Sequence, residues 1–189
     1  MSKYDLTDKV AIITGGGTGI GRAIALEFAR AGADSTIASR NLGNLEKVAE
    51  EVKSMGKRCL AIATDVRIPE QVDTMVQQTV NEFGRVDIMV NNAGASFPCP
   101  VEDLSPNGWD AIVNINLKGT FLCSKAAGKV MIGSKADSGA GASGALWPAR
   151  RDSLCCNISG FGSLKLHHRG DPSGQGWPSS HCMIRADLF

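Results

Sequence analysis

The sequence predicts an α/β protein with a doubly wound parallel sheet. Three observations support this fold class: short apolar runs recur along the first two-thirds of the chain, longer amphipathic segments separate them, and a glycine-rich turn joins the first run to the first such segment. Strands and helices that alternate at this spacing are typical of parallel βαβ units.

The first predicted strand is the run VAIIT, Val10–Thr14, which is apolar enough to be buried. A helix is predicted from Gly19, because apolar residues recur at three- and four-residue steps from Ile20 to Ala31. A second strand is predicted over Asp34–Ser39. The next helix covers 42–55 with its apolar residues on one face, and Gly56 follows it as a C′ glycine.

The third predicted strand, Cys59–Thr64, leads into a helix over Pro69–Phe83, whose proline occupies the favoured first turn. A fourth strand is predicted over Val86–Asn92, and one long helix over Trp109–Met131. The order of these elements predicts a single sheet with helices packed on both of its faces.

Composition excludes several classes of protein. The chain has 189 residues, of which 43% are hydrophobic and 21% charged, with a formal net charge of +1. This balance gives no electrostatic reason to expect a nucleic-acid partner, and no apolar run approaches the roughly 18 residues of a membrane span. The first ten residues lack the apolar core of a secretory signal. The six cysteines show no CxxC or zinc-ligand spacing, so we expect free thiols, no metal and a cytoplasmic location.

The regular pattern ends near Gly133. Glycine, serine, alanine and arginine dominate the following residues, which show neither helical nor strand periodicity. We therefore divide the chain into an ordered domain, 1–132, and an irregular tail, 133–189. Two explanations are open. The tail is a different module, such as an interaction module, or it is a segment that selection has not shaped to complete the fold of the first domain. The tail has too few periodic apolar residues to form a core of its own, which favours the second explanation.

The turn TGGGTGIG, residues 14–21, has the features of a dinucleotide-binding loop. Gly15 permits a tight turn, while Gly19 and Gly21 let the backbone and the helix approach a pyrophosphate. The phosphates would meet free N–H groups and the positive end of the helix dipole. A glycine turn without a ligand is the alternative. With a strand before it and a helix after it, the turn predicts a Rossmann-like nucleotide-binding domain over 1–132.

The spacing of these glycines resembles that of the short-chain dehydrogenase/reductase family, whose TGxxxGIG matches residues 14–21. Three further family motifs follow in order: Asp65-Val66, Asn91–Gly94 and Asn116. The resemblance covers about two-thirds of the chain. It implies that Asp65-Val66 contacts the adenine, that Asn91–Gly94 stabilises the sheet and lines the nicotinamide side, and that Asn116 holds a water in a proton relay.

The resemblance implies an oxidoreductase that transfers a hydride between a nicotinamide cofactor and a small-molecule carbonyl or secondary alcohol. Intact relatives are oligomeric, and whether this chain is oligomeric stays open. The predicted cofactor-binding residues are Gly15, Thr18, Gly19, Ile20, Gly21, Ser39, Arg40, Asn41, Asp65, Val66, Asn92, Ala93 and Gly94.

The end of the second strand favours NADP over NAD. NAD enzymes usually place an acidic residue there to bind the ribose 2′-hydroxyl. This chain has Ser39-Arg40-Asn41 instead, with no acid. The planar guanidinium of Arg40 could pair with a 2′-phosphate. A solvent-facing arginine on a loop is the alternative.

The catalytic residues of the family are incompletely represented. The family uses a serine and a Tyr-x-x-x-Lys pair, but the single tyrosine of this chain is Tyr4, and Phe161 stands four residues before Lys165. CNISG, residues 156–160, resembles the family's NISS, whose catalytic serine would fall on Gly160, directly after Ser159. The alternative is a chance match. The predicted catalytic residues are therefore Asn116 and Ser159, in an oxidoreductase that is impaired or in a non-catalytic NADP(H)-binding remnant.

A frameshift or mis-splicing of the C-terminal part is the explanation that we favour for its departure from the family. The run SGQGWP, residues 173–178, can be encoded by codons that yield AAKAGL one base later. AAKAGL resembles the family's run through its catalytic lysine. The same shift does not restore a tyrosine at Asp171.

Overall fold

The computed structural model describes residues 5–96, 98–136 and 154–157 of the chain. Its five parallel strands form one sheet in the order β3-β2-β1-β4-β5, which confirms the predicted doubly wound parallel fold. The strands are β1 Val10–Thr14, β2 Asp34–Ser39, β3 Cys59–Ala63, β4 Ile88–Asn91 and β5 Leu154–Asn157.

The chain reverses direction across the sheet at β1. It runs outward from β1 through β2 to β3 and then returns to place β4 on the other side of β1. In the middle of β1, Ile13 lies opposite Ile37 of β2 and Val90 of β4. Connections leave β1 and β4 in opposite directions, so a crevice opens beyond their carboxyl ends, where ligands bind in folds of this type.

The first three helices begin and end close to the predicted positions. Gly56 and Gly84 follow α2 and α3 with φ of 79° and 77°, so both helices end in the left-handed conformation that favours glycine. The helices are α1 Gly19–Arg30, α2 Leu42–Ser54, α3 Pro69–Phe83, α4 Pro106–Val113 and α5 Thr120–Ala136.

The single long helix predicted over Trp109–Met131 is wrong in its start and its continuity. Helix α4 begins earlier, because Ser105 Oγ accepts a hydrogen bond from Gly108 N at 3.1 Å and Pro106 occupies the first helical position. A π-helical segment, Asn114–Gly119, then separates α4 from α5. Such segments are often found at functional sites.

Two apolar layers pack on opposite faces of the sheet. Successive side chains of a strand point to opposite faces, so Ile13 of β1 joins one layer and Ile12 the other. The first layer lies under α1 and α2, and the second lies under α3 and α5. Both isoleucines are fully buried, as expected of a central strand.

Strand β5 lies within the segment for which the sequence predicts no regular structure. It pairs with β4, with Asn91 opposite Asn157. Helix α5 also continues to Ala136, beyond the predicted boundary at 132, and the division of the chain there stays a prediction. Ser159 and the run 173–178 lie outside the described residues. In the described part of the chain, we find no helix whose length and hydropathy would suit a membrane span.

Candidate functional site

The predicted site residues meet at the carboxyl edge of the sheet. The glycine-rich turn follows β1, and the loop that carries Asn92 follows β4, its neighbour. Gly15 N donates to Ala38 O of β2 at 2.7 Å, so the turn is fixed to the sheet as soon as β1 ends. The turn therefore begins in the crevice at which the order of the strands reverses.

Close packing at Gly21 sets the position of helix α1. A Cβ atom added to Gly21 would lie 2.1 Å from the carbonyl oxygen of Gly15, so only glycine lets the helix start against the turn. Gly19 has φ of +53° and no atom within 4 Å of the position that a Cβ would take. Open space therefore lies over the first residue of the helix.

The start of α1 has donors to offer in that space. Thr18 is the N-cap residue, and its side chain caps none of the described N–H groups. The first N–H groups of a helix have no partner within the helix, and the helix dipole favours negative charge there. The open space and the donors fit a pyrophosphate group held by the backbone of Gly19, Ile20 and Gly21.

Thr14 joins the ends of β1 and β4. Its buried Oγ1 accepts hydrogen bonds from Asn92 N at 3.1 Å and Ala93 N at 3.0 Å, and donates to Val90 O at 3.2 Å. Thr14 belongs to the predicted loop 14–21 but is not among the predicted cofactor-binding residues. Its position at a strand end, directly before the glycines, is the signal that could have placed it among them.

The side chain of Asn92 supports the glycine turn. Its Nδ2 donates to Thr14 O at 2.9 Å and to Gly15 O at 3.3 Å. The neighbouring Asn91 reaches α5, where its Nδ2 donates to Ser124 Oγ at 3.0 Å. These bonds give the two asparagines a role in stabilising the sheet. Contact of Asn92, Ala93 and the exposed Gly94 with a cofactor stays a prediction.

Asn116 lies in the π-helical segment and holds the loop that follows β4. Its Oδ1 accepts from Ala95 N and its Nδ2 donates to Ala95 O, both at 2.9 Å. Thr120 Oγ1 donates to the backbone carbonyl of Asn116 at 2.7 Å. The structure thus brings Asn116 beside the Asn92 loop, as a site there requires. Its part in a proton relay stays a prediction.

Asp65 and Val66 form the outer wall of the site beyond β3. Arg67 pairs with the Asp65 carboxylate, and Gln71 Oε1 accepts a hydrogen bond from Asp65 N at 2.7 Å. Hydrogen bonds from Arg67, with the nearby charges of Arg67 and Arg40, hold the pKa of Asp65 below its usual value. Val66 is buried against Gly119, where an added Cβ would lie 2.7 Å from Val66 Cγ2.

Arg40 follows β2 and is exposed. Its neighbours use their side chains locally: Ser39 Oγ donates to Asn41 O at 3.3 Å, and Asn41 Oδ1 accepts from Asn44 N at 3.2 Å as the cap of α2. Among the residues that the structure describes, none accepts a hydrogen bond from the Arg40 guanidinium. The donors of Arg40 can therefore turn toward a ligand, while cofactor contacts of Ser39 and Asn41 stay predictions.

Over the same described ranges, no cluster of His, Cys, Asp and Glu has the arrangement of a metal site. Cys59 is a buried free thiol, Cys99 is an exposed one, and Cys123 is buried. Burial raises the pKa of the Cys59 thiol. The polar groups that the described residues present at the site are backbone donors, amides and the pair of Asp65 and Arg67.

A family model described as short chain dehydrogenase matches residues 9–141. A peroxisomal 2,4-dienoyl-CoA reductase [(3E)-enoyl-CoA-producing] of Danio rerio is 49% identical over 133 residues, which are 66% of this chain and 44% of the relative. The (2S)-[(R)-hydroxy(phenyl)methyl]succinyl-CoA dehydrogenase subunit BbsD of Thauera aromatica is 39% identical over 130 residues, 69% of this chain and 52% of the relative. The chain thus spans about half the length of these relatives.

Solved structures of short-chain dehydrogenases also superpose on this chain. A putative short-chain alcohol dehydrogenase of Sinorhizobium meliloti 1021 superposes with a TM-score of 0.66 at 37% identity, covering 69% of this chain and 52% of the other. A short-chain type dehydrogenase/reductase of Mycobacterium marinum gives a TM-score of 0.67 at 38% identity, covering 69% and 51%. Proteins of this family bind NAD(P). The chain belongs to the short-chain dehydrogenase family.

Proposed function

We propose that this chain binds NADP(H) in the crevice between β1 and β4. The observation that carries the proposal is that Gly21 packs so closely on the glycine turn that an added Cβ would lie 2.1 Å from Gly15 O, while the space next to Gly19 is open. The backbone of 19–21 would hold the pyrophosphate, and Asp65 and Val66 would flank the adenine. The bound nicotinamide would supply or accept a hydride.

Arg40 supports the choice of NADP(H) over NAD(H). Its exposed guanidinium follows β2 at the place where an acidic residue would bind the ribose of NAD. We expect Arg40→Asp to reverse the preference between NADPH and NADH in fluorescence titrations. Arg30→Asp is the matched control, because Arg30 is an exposed arginine at the far end of α1. A preference that Arg40→Asp leaves unchanged would contradict the assignment of the 2′-phosphate to Arg40.

The resemblance implies hydride transfer between NADP(H) and a carbonyl or secondary alcohol, and the name of the Danio rerio relative adds reduction of a 2,4-dienoyl group. We propose a coenzyme A thioester as the substrate class. The printed names of the Danio rerio and Thauera aromatica relatives both specify a CoA thioester. In the first the acyl group is a conjugated diene, and in the second it carries an alcohol. A reaction panel should therefore contain 2,4-dienoyl-CoA, 3-oxoacyl-CoA and hydroxyacyl-CoA substrates.

Hydride transfer by the chain as written is proposed to be impaired. The sequence has no Tyr-x-x-x-Lys after Asn116, so the proton donor of the family is missing. The alternative is a non-catalytic NADP(H)-binding remnant. We expect the purified chain to change NADPH fluorescence. We expect it neither to oxidise NADPH with the dienoyl-CoA and 3-oxoacyl-CoA substrates nor to reduce NADP+ with the hydroxyacyl-CoA substrate. Turnover above the protein-free control would contradict impairment, and no fluorescence change would contradict NADP(H) binding itself.

Sequencing the coding DNA tests the proposed frameshift. The expected result is a second reading frame that encodes a family-like continuation through residues 173–178. A second frame that carries stop codons or no family-like sequence would contradict this explanation.

A cytoplasmic location also stands as a proposal. Several relatives are named peroxisomal, including those of Danio rerio and Rattus norvegicus. Imaging of an internally tagged chain beside a peroxisomal marker distinguishes the two locations. Diffuse signal is expected, and co-localisation with the marker would contradict it.

A further inference from the structure

Gly119 is the buried last residue of the π-helical segment, and it lies against Val66 of the outer wall. A Cβ atom added to Gly119 would lie 2.7 Å from Val66 Cγ2, 3.2 Å from Val66 Cβ and 3.5 Å from Val66 O. Branching at Cβ restricts the rotation of the valine side chain, so Val66 has little room to turn away. A side chain at position 119 would therefore push the segment and the outer wall apart.

The backbone around Val66 is held in place. Asp65 N donates to Gln71 Oε1 at 2.7 Å, and Ile68 N donates to Asp65 O at 3.0 Å, which closes a tight turn around Val66. The Val66 side chain is buried in the apolar layer under α3 and α5. The outer wall thus cannot yield to a side chain at position 119 without a loss of hydrogen bonds or packing.

The π-helical segment is held on its other side by the loop that follows β4. Asn116, three residues before Gly119, bonds both backbone groups of Ala95 at 2.9 Å. One turn of the segment therefore contacts the loop through Asn116 and the outer wall through Gly119. The separation of these two sides of the crevice depends on how closely Gly119 approaches Val66.

The close approach to Val66 is the feature that requires glycine at position 119. Gly119 is not among the glycines with positive φ, so its backbone conformation is open to other residues. Alanine is also the better helix former, because glycine loses more conformational freedom on folding. The contact with Val66 therefore outweighs a preference of the helix for alanine.

We propose that Gly119 is a positioning residue of the cofactor site: its lack of a side chain lets the π-helical segment hold Val66 at the distance at which Asp65 and Val66 flank the adenine. The inference rests on the proposed binding of NADP(H), with its adenine at the outer wall. Gly119 acts through Val66 and not by contact with the cofactor.

The test measures the affinity of the full chain and its variants for NADPH and for each half of the cofactor. NADPH is followed by fluorescence, and calorimetry follows adenosine 2′,5′-bisphosphate as the adenine half and nicotinamide mononucleotide as the other half. We expect Gly119→Ala to weaken NADPH and the adenine half by roughly tenfold, since the added methyl overpacks the contact with Val66. The affinity of the nicotinamide half should not change.

Val66→Ala provides the rescue, because it removes the Cγ2 atom that an alanine at position 119 would meet. In the Val66→Ala background, Gly119→Ala should change the NADPH dissociation constant by less than about twofold. Gly128→Ala is the matched control, since its added Cβ on α5 meets nothing within 4 Å, and it should leave all three affinities unchanged. A merely structural role of Gly119 would weaken both halves equally. That result, or a double variant without rescue, would overturn the inference.

Failure of the proposed function gives a different result. A wild-type chain that binds neither NADPH nor the adenine half rejects the NADP(H) site itself. If the wild-type chain binds both and Gly119→Ala binds them equally well, only the role of Gly119 is rejected. Should Gly119→Ala fail to fold, the adenine half is titrated against Val66→Ala and the double variant. Equal affinities are expected, and a double variant that binds roughly tenfold more weakly, or does not fold, would contradict the inference.

Discussion

Asn116 holds Ala95 through both backbone groups of that residue. The amide oxygen of Asn116 accepts from Ala95 N and its nitrogen donates to Ala95 O, each at 2.9 Å. The two residues are 21 positions apart, and the bonds tie the π-helical segment to the loop that follows β4. That loop borders the crevice, so we expect a change in the π-helical segment to alter the shape of the site.

Replacing Asn116 with leucine should therefore destabilise the fold. We expect the free energy of unfolding to fall by about 1–3 kcal/mol, because both backbone groups of Ala95 lose their partner. Urea denaturation followed by circular dichroism measures the change. Asn114→Leu is the matched control, as Asn114 lies in the same segment, and it should cost about 0.5 kcal/mol or less. Equal losses in the two variants would show that the contact with Ala95 is not the cause.

The sequence predicts the first three strand–helix units well because their signals are local. Apolar periodicity, Pro69 in a first turn and the glycines after α2 and α3 each act within a few residues. The break at Asn114–Gly119 has no local signal, since a distant backbone group, that of Ala95, supports it. The apolar periodicity of the sequence continues through this break, and it therefore predicts one long helix instead of two.

Thr14→Val tests whether the junction of β1 and β4 supports the site. The variant keeps the shape of the side chain but removes the acceptor of Asn92 N and Ala93 N, so we expect a loss of about 2 kcal/mol in the free energy of unfolding. NADPH affinity should fall as well, because Asn92 also supports the glycine turn. Thr36→Val is the control: Thr36 is equally buried, and among the described residues its hydroxyl shares a single hydrogen bond, with Thr79 Oγ1, whose own proton can go to Met75 O instead. Its smaller loss should leave NADPH affinity unchanged, and the reverse order of effects would contradict the prediction.

Some residues of the candidate site can be predicted from local sequence signals, and others depend on contacts between distant parts of the chain. The glycines of the turn and Arg40 are predictable because motif spacing and the absence of an acid are visible in the sequence. The bonds of Thr14 to the Asn92 loop join residues 78 and 79 positions apart, so they require the adjacency of β1 and β4. The pairing of Arg67 with Asp65 is not among the predictions from the sequence, although the two residues are only two positions apart. An acid and an arginine so placed after a strand is a signal that could have identified the pair.

Gly21→Ala tests the close approach of α1 to the glycine turn. A methyl group at this position would lie 2.1 Å from Gly15 O, so the helix must move away from the turn. We expect NADPH binding to be lost in fluorescence titrations, together with part of the stability of the fold. Gly128→Ala is the control, because nothing lies within 4 Å of its added Cβ on α5. That variant should gain about 0.5–1 kcal/mol from helix propensity. NADPH affinity that survives Gly21→Ala would show that the pyrophosphate does not bind at this turn.

The pairing of Asp65 with Arg67 predicts a specific loss of stability in acid. Hydrogen bonds from Arg67 lower the pKa of Asp65 in the folded state, so the pair stabilises the fold above the pKa of the unfolded chain. This contribution disappears as the pH falls through the lower, folded-state pKa. The free energy of unfolding of the wild-type chain should therefore fall more steeply than that of Asp65→Asn between about pH 5 and about pH 2.

Asp73→Asn, which removes an exposed carboxylate of α3, should follow the wild-type curve. Chemical denaturation at each pH gives the three curves, and an Asp65→Asn curve parallel to the wild type would show that the pair does not couple to folding.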